Sequence, residues 1–138
     1  MQFKVKDWMI DLVVFVDPDT LVTDALETMR RRYISSVLVS KSASSPDFGI
    51  LTSTDISDKI VAAGRDPSVT KVSEVMTSPL RTVVPEMSIQ ECAKLMSEHR
   101  IHHLPVVDKS GNVIGMISAT DFLVVAEAMG RSGERALR

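Results

Sequence analysis

Hydrophobic and polar positions follow the same order in the two halves of the chain. Short apolar runs alternate with longer stretches in which apolar residues recur at helical spacing. Runs of the first kind predict strands, and stretches of the second kind predict amphipathic helices. The predicted strands are 12–16, 37–39, 48–51, 80–84, 104–107 and 113–117, and the predicted helices are 22–33, 56–63, 89–100 and 122–129. Each half therefore has the order strand, helix, strand, strand, helix, and Gly64 and Gly130 are predicted to end the last helix of each half.

The two halves are also similar residue by residue. Residues 5–41 match the chain without a gap at an offset of 67, with seven identical pairs. Beyond the following loop the offset is 66, and there Gly49 and Asp55 match Gly115 and Asp121. A long period that occurs only twice predicts two similar lobes rather than a solenoid. The predicted organisation is a first domain at 5–66, a second domain at 72–130 and a flexible C-terminal tail at 131–138.

The last strand of each half leads into the last helix through a shared pattern, Gly-apolar-apolar-Ser/Thr-x-Thr-Asp. Thr52 and Ser118 stand at the predicted N-caps, where unpaired backbone N–H groups and the positive end of the helix dipole suit a phosphate. Asp55 and Asp121 stand in the first turn, where an ionised carboxylate can accept bonds from the two vicinal hydroxyls of a ribose. The same pattern is also an ordinary capping motif. Its recurrence in both halves favours a pair of related ligand sites.

Charge and composition narrow the classes of function. Lys and Arg number 16 against 18 Asp and Glu, so the net charge of −2 argues against a nucleic-acid partner. The longest aliphatic and aromatic run, 12–16, is far shorter than a membrane span and too short for a secretory signal. The single cysteine, Cys92, cannot close an internal disulfide. We therefore expect a cytoplasmic protein with no membrane partner.

Catalytic and metal-binding patterns are not found along the chain. His99, His102 and His103 with Cys92 lack the second cysteine or the carboxylate at ligand spacing that a transition metal requires. Cys92 instead lies on the apolar face of a predicted helix, which predicts a core residue. No nucleophile with its base, no Walker loop and no pair of carboxylates in one segment is present. The sequence predicts a protein that is not an enzyme, holds no metal and requires no resident cofactor.

The doubled unit resembles a pair of cystathionine-β-synthase (CBS) domains, also called a Bateman module. The resemblance covers about residues 5–129 and depends on Pro18 and Pro85, on the string Leu-Pro-Val-Val-Asp at 104–108 and on both junction patterns. It implies an α+β fold of tandem CBS domains, with two βαββα lobes related by a pseudo-two-fold axis. It also implies a homodimer, because two such pairs commonly stack in the family.

The resemblance implies a regulatory or energy-sensing function. Members of the family bind adenosine-containing molecules such as AMP, ADP, ATP or S-adenosylmethionine in clefts between the two domains, and they regulate an enzyme or a transporter. For this chain it implies phosphate contacts at Thr52 and Ser118, ribose contacts at Asp55 and Asp121, and a regulated partner protein in trans. The full set of ligand-binding residues so implied is Ile34, Ser36, Val37, Thr52, Thr54, Asp55, Ile101, His102, His103, Leu104, Pro105, Ser118, Thr120 and Asp121.

One departure from the family pattern and one difference between the two halves affect the choice of ligand. Thr54 and Thr120 stand where many nucleotide-binding relatives carry Arg or Lys immediately before the Asp, so a hydroxyl replaces a cation and polyphosphates are disfavoured. In the second half His102 and His103 replace the serines of the first half, and we expect these histidines to decide any difference between the clefts. The alternative interpretation is a ligand-free dimerisation or protein-interaction module.

Overall fold

The computed structural model describes the chain from residue 3 to residue 137, and it describes side chains as far as residue 131. In chain order the elements are α1 Val5–Trp8, β1 Phe15–Val16, α2 Val22–Arg32, β2 Ser36–Val39, β3 Gly49–Thr52, α3 Ser53–Ile56, a π-helical turn Ser57–Val61, α4 Val72–Val75, α5 Ile89–His99, β4 His103–Val107, β5 Val113–Ser118 and α6 Asp121–Leu137. Apart from the strand at 80–84, each predicted strand and helix has its counterpart, with shifted ends. The predicted mixture of helices and strands in an α+β fold is confirmed.

The chain divides into two compact units. The first unit is Val14–Leu80, and the second unit combines the stretch up to Val13 with the stretch from Arg81 onward. These units do not follow the two sequence repeats, which begin at residues 5 and 72. The opening stretch of each repeat belongs to the unit that the other repeat forms.

Burial of two equivalent valines explains this exchange. Val5 on α1 and Val72 on α4 occupy the same position in the two repeats, and both are fully buried. Val5 lies in the core of the second unit, whereas Val72 lies in the core of the first. The N–H of Val5 donates to the carbonyl of Met87 at 2.9 Å, and the N–H of Val72 donates to the carbonyl of Thr20 at 2.8 Å. Burial of a valine side chain stabilises each unit by roughly 1.5–3 kcal/mol.

Each unit contains a small sheet. In the first unit β1 lies parallel to β2, and β2 lies antiparallel to β3. In the second unit β4 and β5 pair antiparallel, and Val83 adds a single parallel bridge to Val106. The strand predicted at 80–84 is therefore wrong, because only one of its residues pairs.

Pro105 explains why the second unit lacks that strand. In the first unit the N–H of Leu38 donates to the carbonyl of Val14 at 2.9 Å, which extends the pairing of β1 with β2. Pro105 occupies the position of Leu38 in the second repeat, and proline has no N–H to donate. Two bonds remain: the N–H of Val83 donates to the carbonyl of Pro105, and the N–H of Val107 donates to the carbonyl of Val83. Val83 is therefore the one residue of 80–84 that pairs.

The last helix of the second unit continues beyond its predicted end. Gly64 has a left-handed conformation with φ +69°, in agreement with the helix end predicted there. Gly130, at the matching position, lies inside α6, so the helix end predicted at Gly130 is wrong. Pro67 follows Gly64 closely, whereas no proline follows Gly130, so nothing in the sequence stops the second helix. Residues 131–137, predicted as a flexible tail, have helical backbone, and residue 138 lies outside the described residues.

The helices α2 and α5 end at left-handed residues that are not glycine. Tyr33 has φ 54° and Arg100, at the matching position, has φ 53°. In both units the N–H of the following isoleucine donates back into the last turn at 3.0 Å, which satisfies a carbonyl at the helix end. Tyr33, predicted on the apolar face of its helix, is 95% exposed, because the left-handed turn directs it away from that face.

Each unit has its own hydrophobic core. Cys92 is fully buried in the core of the second unit, so its predicted role as a core residue is confirmed. Burial raises the pKa of its thiol to about 11.

Among the described helices, none has the length and apolar character that crossing a membrane requires.

Candidate functional site

The two strand-to-helix junctions lie at equivalent places in the two units. The first junction, 52–55, connects β3 to α3, and the second junction, 118–121, connects β5 to α6. Each carries the predicted hydroxyl and the predicted carboxylate three residues later. Thr52 is the N-cap of α3, as predicted. The N-cap predicted at Ser118 is wrong, because α6 begins only at Asp121 and the Ser118 hydroxyl donates to the Asp121 carboxylate. The structure therefore brings the two central residues of each candidate site together, as the sequence predicts, but their surroundings differ.

The glycine of each junction pattern is required by packing. A Cβ atom at Gly49 would lie 2.5 Å from Sδ of Met76, and one at Gly115 would lie 2.9 Å from the carbonyl oxygen of Ile10. At both positions the opening stretch of the other repeat crosses the strand, where Ile10 forms a bridge with Met116 in the second unit. The spacing from glycine to carboxylate that the two halves share thus reflects this crossing as well as any ligand.

The second junction holds a carboxylate with one oxygen open. The N–H of Ser118 donates to Oδ2 of Asp121 at 2.8 Å, and the Ser118 hydroxyl donates to the same oxygen at 3.2 Å. The hydroxyls of Ser118 and Thr120 lie 2.8 Å apart. Asp121 is half-buried, and neither of the two bonds from Ser118 uses its Oδ1. This oxygen can accept a hydrogen bond from a ligand at the start of a helix of 17 residues.

The first junction holds a carboxylate with both oxygens occupied. Thr52 and Asp55 form a reciprocal capping box: the N–H of Asp55 donates to Oγ1 of Thr52 at 3.3 Å, and the N–H of Thr52 donates to Oδ2 of Asp55 at 3.0 Å. Oδ1 accepts from the hydroxyl of Thr77 at 2.9 Å and lies 2.9 Å from Nζ of Lys59. Asp55 is only 5% exposed.

Lys59 and Thr77 are site residues that the sequence reasoning missed. Lys59 stands four residues after Asp55, a spacing that favours an ion pair on a helical turn, so that signal was available. Thr77 is distant in sequence from Asp55 and comes from the stretch that the two repeats exchange. Repeat alignment alone gives no indication of that contact.

The residues predicted to face adenine lie on the strands next to the junctions. Ser36 pairs with Thr52 across β2 and β3, and His103 pairs with Ser118 across β4 and β5. The buried members of the set are Val37, Leu104 and Pro105. Ile34 and Ile101 are half-buried and pack against the two cores. The side chains of Val37 and Leu104 belong to the two cores, so a ligand beside these strands would meet their backbone.

Electrostatics also differ between the junctions. At the second junction burial lowers the pKa of His103, the charge of His102 adds to that effect, and Asp121 opposes it. Burial of His103 thus favours its neutral form. Thr54 and Thr120 are exposed. The cation of the first junction is Lys59, and at the second junction the matching position is Val125.

Fold and junctions together define a class of protein: a tandem module of two α+β units built on one repeated motif. The CBS domain family matches residues 5–62 and 72–127. The chain belongs to this family and is a pair of CBS domains, so the resemblance seen in the sequence is confirmed.

Relatives of known sequence agree with this assignment. The CBS domain-containing protein YhcV of Bacillus subtilis (strain 168) is 34% identical over 121 residues, which cover 88% of this chain and 84% of that protein. Other curated relatives are longer, since the chain spans 57% of one of them and 51% of another.

Solved structures share the fold. The hexameric CBS-CP12 protein from bloom-forming cyanobacteria has a TM-score of 0.82 at 31% identity, covering 90% of this chain and 72% of that chain. The CBS domain pair of protein MJ0100, in complex with 5′-methylthioadenosine and S-adenosyl-L-methionine, has a TM-score of 0.80 at 22% identity, covering 94% of this chain and 99% of that chain. At 22% identity the similarity concerns the fold alone.

Proposed function

We propose that the protein is a non-enzymatic regulatory module that binds an adenosine-containing ligand and passes its bound state to a partner protein. The observation that carries the proposal is the carboxylate of Asp121. It is half-buried, both hydrogen bonds from Ser118 go to Oδ2, and Oδ1 is left to accept from a ribose hydroxyl. An ionised acceptor forms hydrogen bonds about twice as strong as a neutral one.

Neighbouring groups suit the rest of such a ligand. The Thr120 hydroxyl lies 2.8 Å from that of Ser118 and can donate to a phosphate or to another polar group, while the single proton of the Ser118 hydroxyl goes to Asp121. The N-terminus of α6 adds a positive partial charge. No cation stands at Thr120, and the lowered pKa of His103 favours its neutral form, so AMP or S-adenosylmethionine suits the site better than ATP.

Regulation would follow from a difference in affinity between two states of the module. A ligand shifts a conformational equilibrium only as far as it binds one state more tightly than the other. Since this chain is a CBS pair, the regulated activity belongs to a partner in trans or to another part of a longer polypeptide. We expect the module to act as a homodimer.

A ligand-free interaction module is the second candidate. Thr54 and Thr120 in place of cations favour it. Exposed apolar side chains on α6 also favour it, since Leu123 is 73% exposed and Val124 is 58% exposed. Such side chains on one helix are typical of a surface that another protein covers.

Thermal unfolding with and without ligands tests the proposal. AMP, ADP, ATP, S-adenosylmethionine and GTP are each added near millimolar concentration. A ligand at a hundred times its Kd adds about 2.7 kcal/mol to the free energy of unfolding, and in a domain of this size we expect the midpoint to rise by roughly 5–10 °C. Asp121→Asn should remove this rise, because the amide replaces an ionised acceptor.

The pattern across ligands decides between the two candidates. A rise with adenosine compounds but not with GTP, lost in Asp121→Asn, supports the sensor. An unchanged midpoint with all five compounds rejects it and favours the interaction module.

A further inference from the structure

We propose that the two junctions have different tasks: Lys59 and Thr77 occupy the carboxylate of Asp55 as a structural network, and ligand binding is left to Asp121. The proposal rests on the proposed function for the second junction. It predicts one ligand per chain, although the repeat places the same Ser/Thr–Asp motif in both units.

The count of donors around Asp55 shows why its carboxylate is not available. A carboxylate has about four lone-pair sites. Oδ2 accepts from the N–H and the hydroxyl of Thr52, at 3.0 and 3.2 Å, and Oδ1 accepts from Thr77 and Lys59, both at 2.9 Å. Four donors therefore fill both oxygens. A ribose hydroxyl could bind only by displacing one of them.

The donors are themselves held in place. Nζ of Lys59 also donates to the carbonyl of Val75 at 3.0 Å, so the ammonium group bridges the π-helical turn and the end of α4. The amide of Thr77 takes part in a backbone bridge with Ile50. The side chain of Asp55 is 7% exposed, which removes most of its contact with water. A carboxylate in this setting is more strongly bound to its partners than an exposed one, because water cannot replace them.

Two substitutions between the repeats account for the difference. Lys59 corresponds to Val125, and Thr77 corresponds to Ile10. Val125 is 2% exposed and belongs to the core of the second unit. The side chains of valine and isoleucine cannot donate a hydrogen bond, so Oδ1 of Asp121 lacks both of the side-chain partners that Oδ1 of Asp55 has.

The first test needs no ligand. The unfolding midpoint is measured for Asp55→Asn, Lys59→Met and the double variant, with Asp121→Asn as the matched control at the second junction. We expect Asp55→Asn to lower the midpoint by about 5 °C or more and Asp121→Asn by less than about 2 °C. The double variant should lose no more than Asp55→Asn alone, because both changes break one network. Additive losses, or equal losses at the two carboxylates, would overturn the proposal.

The second test counts bound ligands. Isothermal titration with AMP, and separately with S-adenosylmethionine, should give one site per chain, and Asp121→Asn should weaken binding at least tenfold. Two sites per chain, with one of them lost in Asp55→Asn, would overturn the division of tasks while leaving the proposed function intact. No heat with either compound counts against the proposed function, and the unfolding series then decides whether Asp55 is structural.

Discussion

At the scale of single residues, two glycines of the second unit, Gly115 and Gly130, have opposite effects on stability. Gly115 lies where a Cβ would come within 2.9 Å of the carbonyl oxygen of Ile10, which is backbone and cannot turn aside. Gly130 lies inside α6 with nothing within 4 Å of a Cβ. The first glycine permits a close approach of two chain segments, and the second only weakens a helix.

Alanine at these positions should therefore change stability in opposite directions. Gly115→Ala should lower the free energy of unfolding by about 1–3 kcal/mol through overpacking, and Gly130→Ala should raise it by about 0.5–1 kcal/mol through helix propensity. Urea unfolding of the two variants beside the parent chain measures both. A Gly115→Ala variant as stable as the parent would show that the backbone at Ile10 can shift away from β5 at little cost.

The titration of His103 is a second property that belongs to one residue. Burial lowers its pKa below the value of an exposed histidine, so the unfolded chain binds a proton at a higher pH than the folded chain does. The free energy of unfolding therefore rises with pH between the folded and the unfolded pKa of His103. The contribution of His103 is fully present above the unfolded pKa of about 6.5. As the pH falls below that value, the contribution of His103 is lost.

We expect the free energy of unfolding to fall more between pH 7.5 and pH 5.5 in the parent chain than in His103→Gln. Urea unfolding at several pH values in that range measures the difference between the two curves. Parallel curves would mean that His103 titrates alike in the folded and unfolded chain.

At the scale of elements, the hydrophobic pattern predicted what depends on neighbours along the chain. α2 and α5 follow from apolar spacing, and the capping hydroxyl of Thr52 follows from the residues after it. What the pattern missed depends on partners distant in sequence. The strand expected at 80–84 has the right composition, but its partner Pro105 lacks a donor. The contact of Thr77 with Asp55 likewise has no local signal.

Pairing that is lost at Pro105 should be visible in hydrogen exchange. We expect amides of residues 81–84 to exchange faster than those of residues 14–17, because the second unit holds only Val83 in its parallel pairing. Exchange measured by NMR at the level of single residues compares the two stretches. Equal protection of both would mean that the bonds of Val83 suffice to order the whole stretch.

At the scale of the whole molecule, the cores are completed by stretches from the other repeat. Matching substitutions at equivalent positions should therefore loosen different parts of the chain. Val5→Ala removes buried methyl groups from the second unit, and Val72→Ala removes them from the first, each at roughly 2 kcal/mol. Hydrogen exchange should then accelerate across β4 and β5 in Val5→Ala, and across β2 and β3 in Val72→Ala.

The reverse assignment, or equal acceleration in both units, would contradict the exchange of opening stretches. The reverse assignment is the outcome that the sequence alone predicts, since the repeats suggest domains at 5–66 and 72–130. A repeat in sequence records how similar two segments are, and it does not record which segment packs with which.

The exchanged stretches also bear on how such a protein could arise by duplication. A chain with a single repeat would have a sheet and its helices but would need an opening stretch to complete its core. In a pair of such shorter chains, the first helix of each copy would pack into the core of the other, and both cores would be complete. Joining two such genes end to end would turn an obligate pair of chains into one polypeptide in which the same segments pack together. Equivalent positions could then diverge, as Lys59 and Val125 have done, and Thr77 and Ile10.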